Sequence, residues 1–387
     1  MSETISDFLQ SRIDAGDFPS AVYLVAEKGE IKFHDALGYA VVDPERIEAK
    51  VDTIYDLASL TKPLVTGLAI AKLVESGQLD PTGRVGDLLN EFYTSAHAEV
   101  RVNDLMMHTS GLPAWKPLYL LVADPDQVIE EIARSLPNSE QEPVTYSDLN
   151  FITLAAIIEH VTDSGFAEYA NDLFVPLGLA DSGFNPPSDL RPRIAASEKG
   201  NEYEKQTCIE LGFLQDYSGA EVTSLLNGAG SLNNGFPTSH SAFRDYQIWG
   251  EVHDGNAYFM GGVAGHAGLF STAKEVFRIA QQFLPNYTQL LKRETCELFR
   301  TNFTKGLNED RSFAFQLAST KDSTAGTTMS PESFGHNGFT GTSLWIDPVK
   351  ERIFVLVTNR THARPLPFIN INSVRRKFHD LSIELLR

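Results

Sequence analysis

At 387 residues the chain is long for a single hydrophobic core, which allows one large domain with a substantial insertion or two domains. It carries 51 acidic against 32 basic residues, a net charge of -19, and its only basic run is the short Arg375-Arg376-Lys377, a balance that argues against nucleic acid as a partner. Two cysteines, Cys208 and Cys296, lie far apart in no metal-like spacing, so free thiols are expected and neither a disulfide framework nor a metal site.

The opening "MSETISDFLQSRIDAGDFPSA" alternates charged and apolar residues like an amphipathic helix and has no apolar core of signal-peptide length. No later apolar run reaches the ~20 residues of a membrane span, so a soluble protein kept in the cytoplasm, without a membrane partner, is expected. "AVYLVAEKGEIKFHDALGYA" gives two β-rich runs about Lys28-Gly29, a hairpin. Helical spacing then recurs in "LVTGLAIAKLVESG", "FITLAAIIEHVTD" and "FAEYANDLF". From about 191 to 257 periodicity weakens, and "SLLNGAGSLNNGFPTSH" reads as a long irregular loop of the kind that forms lids or binding loops. "TSLWIDPVKERIFVLVTNR" supplies two more strands that break at Asp347-Pro348, and "INSVRRKFHDLSIELL" closes the chain as an amphipathic helix. The economical architecture is α+β. An antiparallel sheet from residues 1–75 and 268–387 carries flanking helices, and a mainly helical region, 76–267, is inserted between its halves.

Three stretches could carry chemistry. In "DLASLTKPLVTG", Ser59 and Lys62 stand i and i+3 on one helical face, and Pro63, tolerated only near a first turn, places Ser59 at the helix entry. A lysine there can take the serine proton, and unpaired amides favour the developing negative charge. Alone, the spacing is a weak signal and is better explained by a capped helix with a surface lysine. In "PVTYSDLNF", Tyr146 precedes a capping Ser147 or Asp148, where its phenol can relay a proton or simply pack on the cap. In "SFGHNGFTGTSLWIDP", glycines flank His336 ahead of a β-rich run, either to let a substrate approach the backbone or merely to turn the chain.

In this order the three stretches resemble the penicillin-recognising serine enzymes: class C β-lactamases, D,D-peptidases, D-aminopeptidases and family VIII esterases. The resemblance spans nearly the whole chain through "LASLTK", "HTSGLP" at 108–113, "PLGL" at 176–179 and "GGVAGHAGLFST". It implies a β-lactamase/transpeptidase-like fold and acyl transfer to water from a small ester, amide or β-lactam, with no metal or organic cofactor. Ser59 would be the nucleophile, Lys62 its partner and Tyr146 the general acid or base. His336-Asn337-Gly338 would be the strand facing the substrate, and the amides of Ser59 and Phe339 would form the oxyanion hole. His266-Ala267-Gly268 fits the same H-x-G pattern, but a Thr272…Glu275 capping box leads it into a helix, so His336 is preferred and a loop at the rim is expected for 261–268.

Two departures from the family pattern bear on mechanism and substrate. Asp148 stands where the family often has asparagine; a carboxylate there favours the Lys62 ammonium and makes Tyr146, its pKa lowered by Lys62, the better base. His336 replaces the lysine usual in β-lactamases and offers a substrate carboxylate a hydrogen bond but little charge. The resemblance to family VIII esterases implies tolerance of such H-x-G variants, and a cytoplasmic enzyme has no access to mature peptidoglycan, so small esters rank first, D-amino-acid peptides second and β-lactams third. His336→Lys should speed acylation by carboxylate-bearing β-lactams about tenfold. Arg360 and Arg364 are candidate carboxylate anchors, with exposed loop arginines as the plainer explanation. A non-catalytic binding protein on the same fold is the competing reading.

Overall fold

In the computed structural model, which describes residues 3–137, 141–214 and 243–387, the run Ser20–Glu27 (β1) is buried along almost its full length. Val22, Leu24 and Ala26 enter one core, and Ala21, Tyr23 and Val25 enter another. A strand covered on both faces needs apolar residues at successive positions, which is why this segment shows no polar alternation. Lys28 and Gly29 both take left-handed φ angles, 53° and 79°, and the resulting tight turn leads into Glu30–Val41 (β2), antiparallel to β1.

After Ile47–Glu48 (β3) the chain leaves the sheet, and Tyr55–Asp56 (β4) later pairs with Phe270–Ser271 (β5) in a separate two-stranded ladder. The sheet is completed by Gln316–Leu317 (β6), Phe334–Asn337 (β7), Ser343–Asp347 (β8) and Arg352–Thr358 (β9), in the order β3-β2-β1-β9-β8-β7-β6. Pairing of β1 with β9, from Ala21 opposite Thr358 to Glu27 opposite Arg352, joins the two ends of the chain. At the Asp347-Pro348 break, Asp347 Oδ1 accepts the amides of Val349 and Lys350, each at 3.0 Å, and closes the β8–β9 turn.

Helices Leu68–Ser76 and Ala273–Ala280 pack in the first core, while Ile5–Asp14 and Asn372–Leu385 pack in the second, so the sheet is clad on both faces. Between the sheet-forming ends lie Asp148–Thr162, Phe166–Phe174 and several shorter helices. Within the stretch expected to be irregular, Glu202–Glu210 is a helix; it buries only Glu204 and Cys208, so it left no apolar stripe to read. The Gly/Asn-rich segment "SLLNGAGSLNNGFPTSH" lies outside the described residues. Both cysteines are buried free thiols. Among the described residues no helix is long and apolar enough to cross a membrane.

Candidate active site

Ser59 follows Ala58, whose φ of 47° is unusual for a residue with a side chain. The surroundings over-determine that turn. Asp56 Oδ1 accepts the Ala58 amide at 2.8 Å, the Thr61 hydroxyl donates to the Ala58 carbonyl at 2.7 Å, and the Leu57 amide donates to Leu269 at 2.9 Å. From the sheet side, the hydroxyls of Thr340 and Thr342 donate to the carbonyls of Asp56 and Leu57 at 2.8 and 2.9 Å, stapling the end of β7 to the serine turn. Gly338 lies in that seam, and a Cβ on it would collide with the Thr342 hydroxyl and the Leu57 carbonyl. The chain continues as a 3₁₀ turn, Ala58–Leu60, a widened π turn, Lys62–Gly67, and then the α-helix Leu68–Ser76. Ser59 and Lys62 thus share one face at the helix entry, and Pro63 sits where the widened turn needs no amide.

Lys62 is fully buried. Its Nζ donates to Ser59 Oγ and to the His266 carbonyl, both at 3.0 Å, and lies 2.7 Å from Asp148 Oδ1. Burial alone pushes the ammonium pKa down, but the charges of Asp148 and Tyr146 outweigh it and hold Lys62 above its ordinary value. The lysine is therefore charged at rest, as Asp148 in the sequence suggested. Tyr146 behaves differently from expectation. Burial raises its phenol, and Lys62, although it lies 4.9 Å from the ring and acts in the expected lowering direction, does not overcome that; the phenol stays above its ordinary value.

The Tyr146 segment is laid against the "HTSGLP" stretch. The Thr145 amide donates to the His108 carbonyl and the Asp148 amide to Ala114, each at 2.9 Å, while the Ser147 amide donates to His108 Nδ1 at 3.0 Å. Ser147 is the helix cap: its hydroxyl accepts the Asn150 amide and donates to the Pro113 carbonyl at 2.6 Å. Because His108 must present a lone pair to Ser147, its ring is neutral, in keeping with a pKa well below 6.5 caused by burial and neighbouring cations.

His336 is buried at the end of β7 and is also held well below 6.5, first by burial and then by Lys62 and Arg311. Its Nδ1 lies 2.9 Å from the Asn337 carbonyl, which can only accept, so Nδ1 carries the ring's one proton. The expected hydrogen bond from His336 to a substrate carboxylate is thus corrected: its N–H is already spent. The Asn337 amide group donates to the Thr324 hydroxyl at 3.0 Å. Among the described residues, no backbone hydrogen bond outside the helices and strands uses the amide of Ser59 or of Phe339.

His266 is not at a rim. It is 1 % exposed, its carbonyl accepts from Lys62, and its Nε2 lies 2.9 Å from Asp254 Oδ1. Gly265 beside it has no room for a side chain against the Phe151 carbonyl, which explains a glycine there. Asp148, Asp254 and His266 offer ligand atoms within 4.8 Å of one another. Asp148 already faces the Lys62 ammonium and Asp254 already meets the His266 ring, so the carboxylates of this group are engaged by the protein's own side chains.

Ser59, Tyr146, Asp148, His336, Asn337, Gly338 and Phe339 line one cavity of about 670 Å³. Arg360 also lines it, donating to the Phe339 and Ile369 carbonyls, whereas Arg364 lies in a separate cleft with Asp43 and Lys199 and so is not placed to act as an anchor here. Sequence reasoning missed Thr340 and Thr342, Arg311 beneath Tyr146, and Arg375, which belongs to the basic run near the end yet is buried and donates to the Gly338 and Thr342 carbonyls at 2.8 and 2.9 Å. The Thr-Gly-Thr spacing after His336 was the one available signal; nothing local marks the arginines.

The Beta-lactamase family model matches residues 5–373. A relative from Escherichia coli (strain K12), named "Putative D-alanyl-D-alanine carboxypeptidase", is 29% identical over 384 residues, covering 92% of this chain and 81% of its own. A relative of the same name from Salmonella gallinarum is 30% identical over 395 residues, covering 93% and 82%. The class C β-lactamase of Rhodobacter sphaeroides superposes with a TM-score of 0.71 at 17% identity, covering 100% of both chains. With the family model spanning nearly its entire length, this chain belongs to the Beta-lactamase family of serine hydrolases.

Proposed function

We propose that this serine hydrolase forms an ester on Ser59 and acts on substrates with a free carboxylate beside the scissile bond, D-amino-acid peptides foremost. The observation that carries the substrate class is the pair Arg360 and Arg375. Both line the cavity next to Gly338, both are largely buried, and among the described residues neither meets a carboxylate. Burial presses both guanidiniums below their ordinary pKa, and Arg360 adds to the effect on Arg375. Charges held at that cost suit an anionic substrate group. The name of the Escherichia coli relative supports the same class. Small esters, ranked first on the H-x-G variant and the expected cytoplasmic location, become the second reading, favoured by the low pKa of the His336 ring.

In the mechanism, Lys62 and Tyr146 are both protonated at rest, so the pair must first lose one proton. The Tyr146 oxygen then takes the Ser59 proton as Oγ bonds to the substrate carbonyl, and the Ser59 and Phe339 amides hold the oxyanion. Tyr146 returns the proton to the leaving amine, and water repeats the sequence in deacylation. The rate therefore rises with pH as the pair deprotonates, with an apparent pKa belonging to both groups.

The test combines mass spectrometry of a fluorophosphonate-treated sample with turnover of a D-alanyl-D-alanine peptide, p-nitrophenyl butyrate and nitrocefin. An adduct on the Ser59 peptide and preferred turnover of the D-alanyl peptide are expected, and Tyr146→Phe should slow acylation by ~10² or more. An adduct on another serine would overturn the assignment, preferred ester turnover would restore the second reading, and an unlabelled protein would make it a binder.

A further inference from the structure

We propose that Arg311 is a positioning residue for catalysis: carried by the 302–315 loop, it fixes the Tyr146 ring and supplies the positive field in which the phenolate forms. The role rests on the reading of Ser59 and Tyr146 given above. The loop is closed on itself by hydrogen bonds from the Phe303 amide to the Arg311 carbonyl at 2.9 Å, from the Arg311 amide to the Thr304 hydroxyl at 2.7 Å, and from that hydroxyl to the Glu309 carbonyl at 2.6 Å. It is also clasped to the Tyr146 segment. The side-chain amide of Asn308 donates to the Val144 carbonyl and accepts the Val144 amide, both at 2.9 Å, two residues before the tyrosine. A side chain that copies a strand pairing in this way ties the loop's position to that of Tyr146.

Arg311 is 4 % exposed, and its guanidinium carbon lies 5.5 Å from the centre of the Tyr146 ring. Nη2 is held by Glu309, which also takes the Gln316 side chain, while Nε and Nη1 meet no acceptor among the described residues. Buried guanidinium N–H groups without acceptors are costly, and an aromatic face is a partner that offsets part of the cost. The charged and titratable groups around Tyr146 are Lys62, Asp148, His108, His336 and Arg311, with Asp254 and His266 behind Asp148 and Glu309 on Arg311. Arg311 helps to keep both histidines neutral, so neither competes for the proton Tyr146 must move. Lys62 shares its charge with Asp148 as Arg311 shares its own with Glu309, and Arg311 is the second cation lying against the Tyr146 ring.

The experiment is the rate of inactivation by a fluorophosphonate across pH 6 to 10, with thermal unfolding alongside, for the wild type, Arg311→Met and Arg311→Lys. Arg311→Met should react roughly tenfold more slowly near neutrality, with its rising limb displaced by about one unit to higher pH. Arg311→Lys should keep the limb in place but not recover the full rate, because an ammonium lacks the planar guanidinium that lies against the ring. A folded Arg311→Met with wild-type rate and limb would overturn the proposal. If that variant does not fold, Arg311→Lys decides: a slower rate on an unmoved limb supports the role, and a wild-type rate refutes it. A wild type that the probe does not label would instead sink the Ser59 reading itself.

Discussion

The two walls of the cavity treat charge in opposite ways. On one side Asp148 faces Lys62 and Asp254 faces His266, and the exception there is Glu204, which accepts only the neutral Tyr119 hydroxyl and Gly255 amide, both at 2.8 Å. On the other side Arg360 and Arg375 donate only to carbonyls and to the Asn372 side chain. A compensated wall serves proton transfer, because its charges are fixed before a substrate arrives; an uncompensated wall gains its counter-charge only from the substrate. On the proposed function, the chemistry and the recognition are divided between two faces of one cavity.

The largest effect should come from breaking compensation on the acidic wall. Asp148→Asn leaves the buried Lys62 ammonium with the Ser59 hydroxyl and the His266 carbonyl, and removal of one partner from a buried pair costs about 3–5 kcal/mol. It also removes the leading charge that raises Lys62, so the alkaline rise in rate should move to lower pH. Chemical denaturation and single-turnover acylation measure the two consequences. A pH profile that stays in place would mean that the Lys62–Asp148 contact does not set the proton inventory.

On the basic wall the expected change is selective. Arg375→Gln and Arg360→Gln retain donors for the carbonyls but discard the charge, and each should lower kcat/KM for a D-alanyl-D-alanine peptide by ~10–10². Turnover of p-nitrophenyl butyrate should hold within about twofold, apart from any effect shared by both substrates. Equal losses on peptide and ester would show that these arginines only brace β7, and the contrast between the walls would fail.

Glu204 sharpens the contrast through stability. Its carboxyl is pushed up to about 7, first by burial and then by Asp254. A carboxyl whose pKa is raised on folding holds its proton more tightly in the folded state, so the wild type loses stability as pH climbs from about 4.5 to about 7. Glu204→Gln keeps a partner for the Tyr119 hydroxyl and cannot ionise. Above pH 7 it should be more stable than the wild type by up to about 3 kcal/mol, and near pH 4 the two should converge. Parallel denaturation curves at both pH values would show that this acid is not held against its charge.

What the sequence disclosed follows the same division. Ser59 and Lys62 are three residues apart on one helical turn, and the hairpin, the break at Asp347-Pro348 and the helices at 68–76 and 166–174 are local patterns that a linear reading resolves. The architecture was legible because both ends of the chain carry strands. The basic wall was not: Arg360, Arg375 and Gly338 meet only because β7 and the closing helix converge, and a buried arginine in "SVRRK" has the spacing of a surface one. The fate of His336 was hidden for a related reason, since the acceptor that takes its proton is a backbone carbonyl with no signature in the residue string.

That last point changes the smallest of the expected effects. A lysine at 336 would seem to supply the charge usual in β-lactamases, and on sequence alone a tenfold gain with carboxylate-bearing β-lactams is expected. The site is 6 % exposed, however, and the cations that already depress His336 are Lys62, Arg311 and Arg375. A second ammonium there would be desolvated among like charges, which favours its neutral form and cancels most of the attraction to a substrate carboxylate. His336→Lys should therefore leave kcat/KM for nitrocefin within about threefold of the wild type at pH 7, with no preference over p-nitrophenyl butyrate. Because lysine titrates far above histidine in water, any gain should emerge only below neutrality, where the ammonium is retained. A tenfold gain at pH 7 confined to nitrocefin would mean that the acidic wall offsets the basic one at this position, and that the two faces are not electrostatically separate.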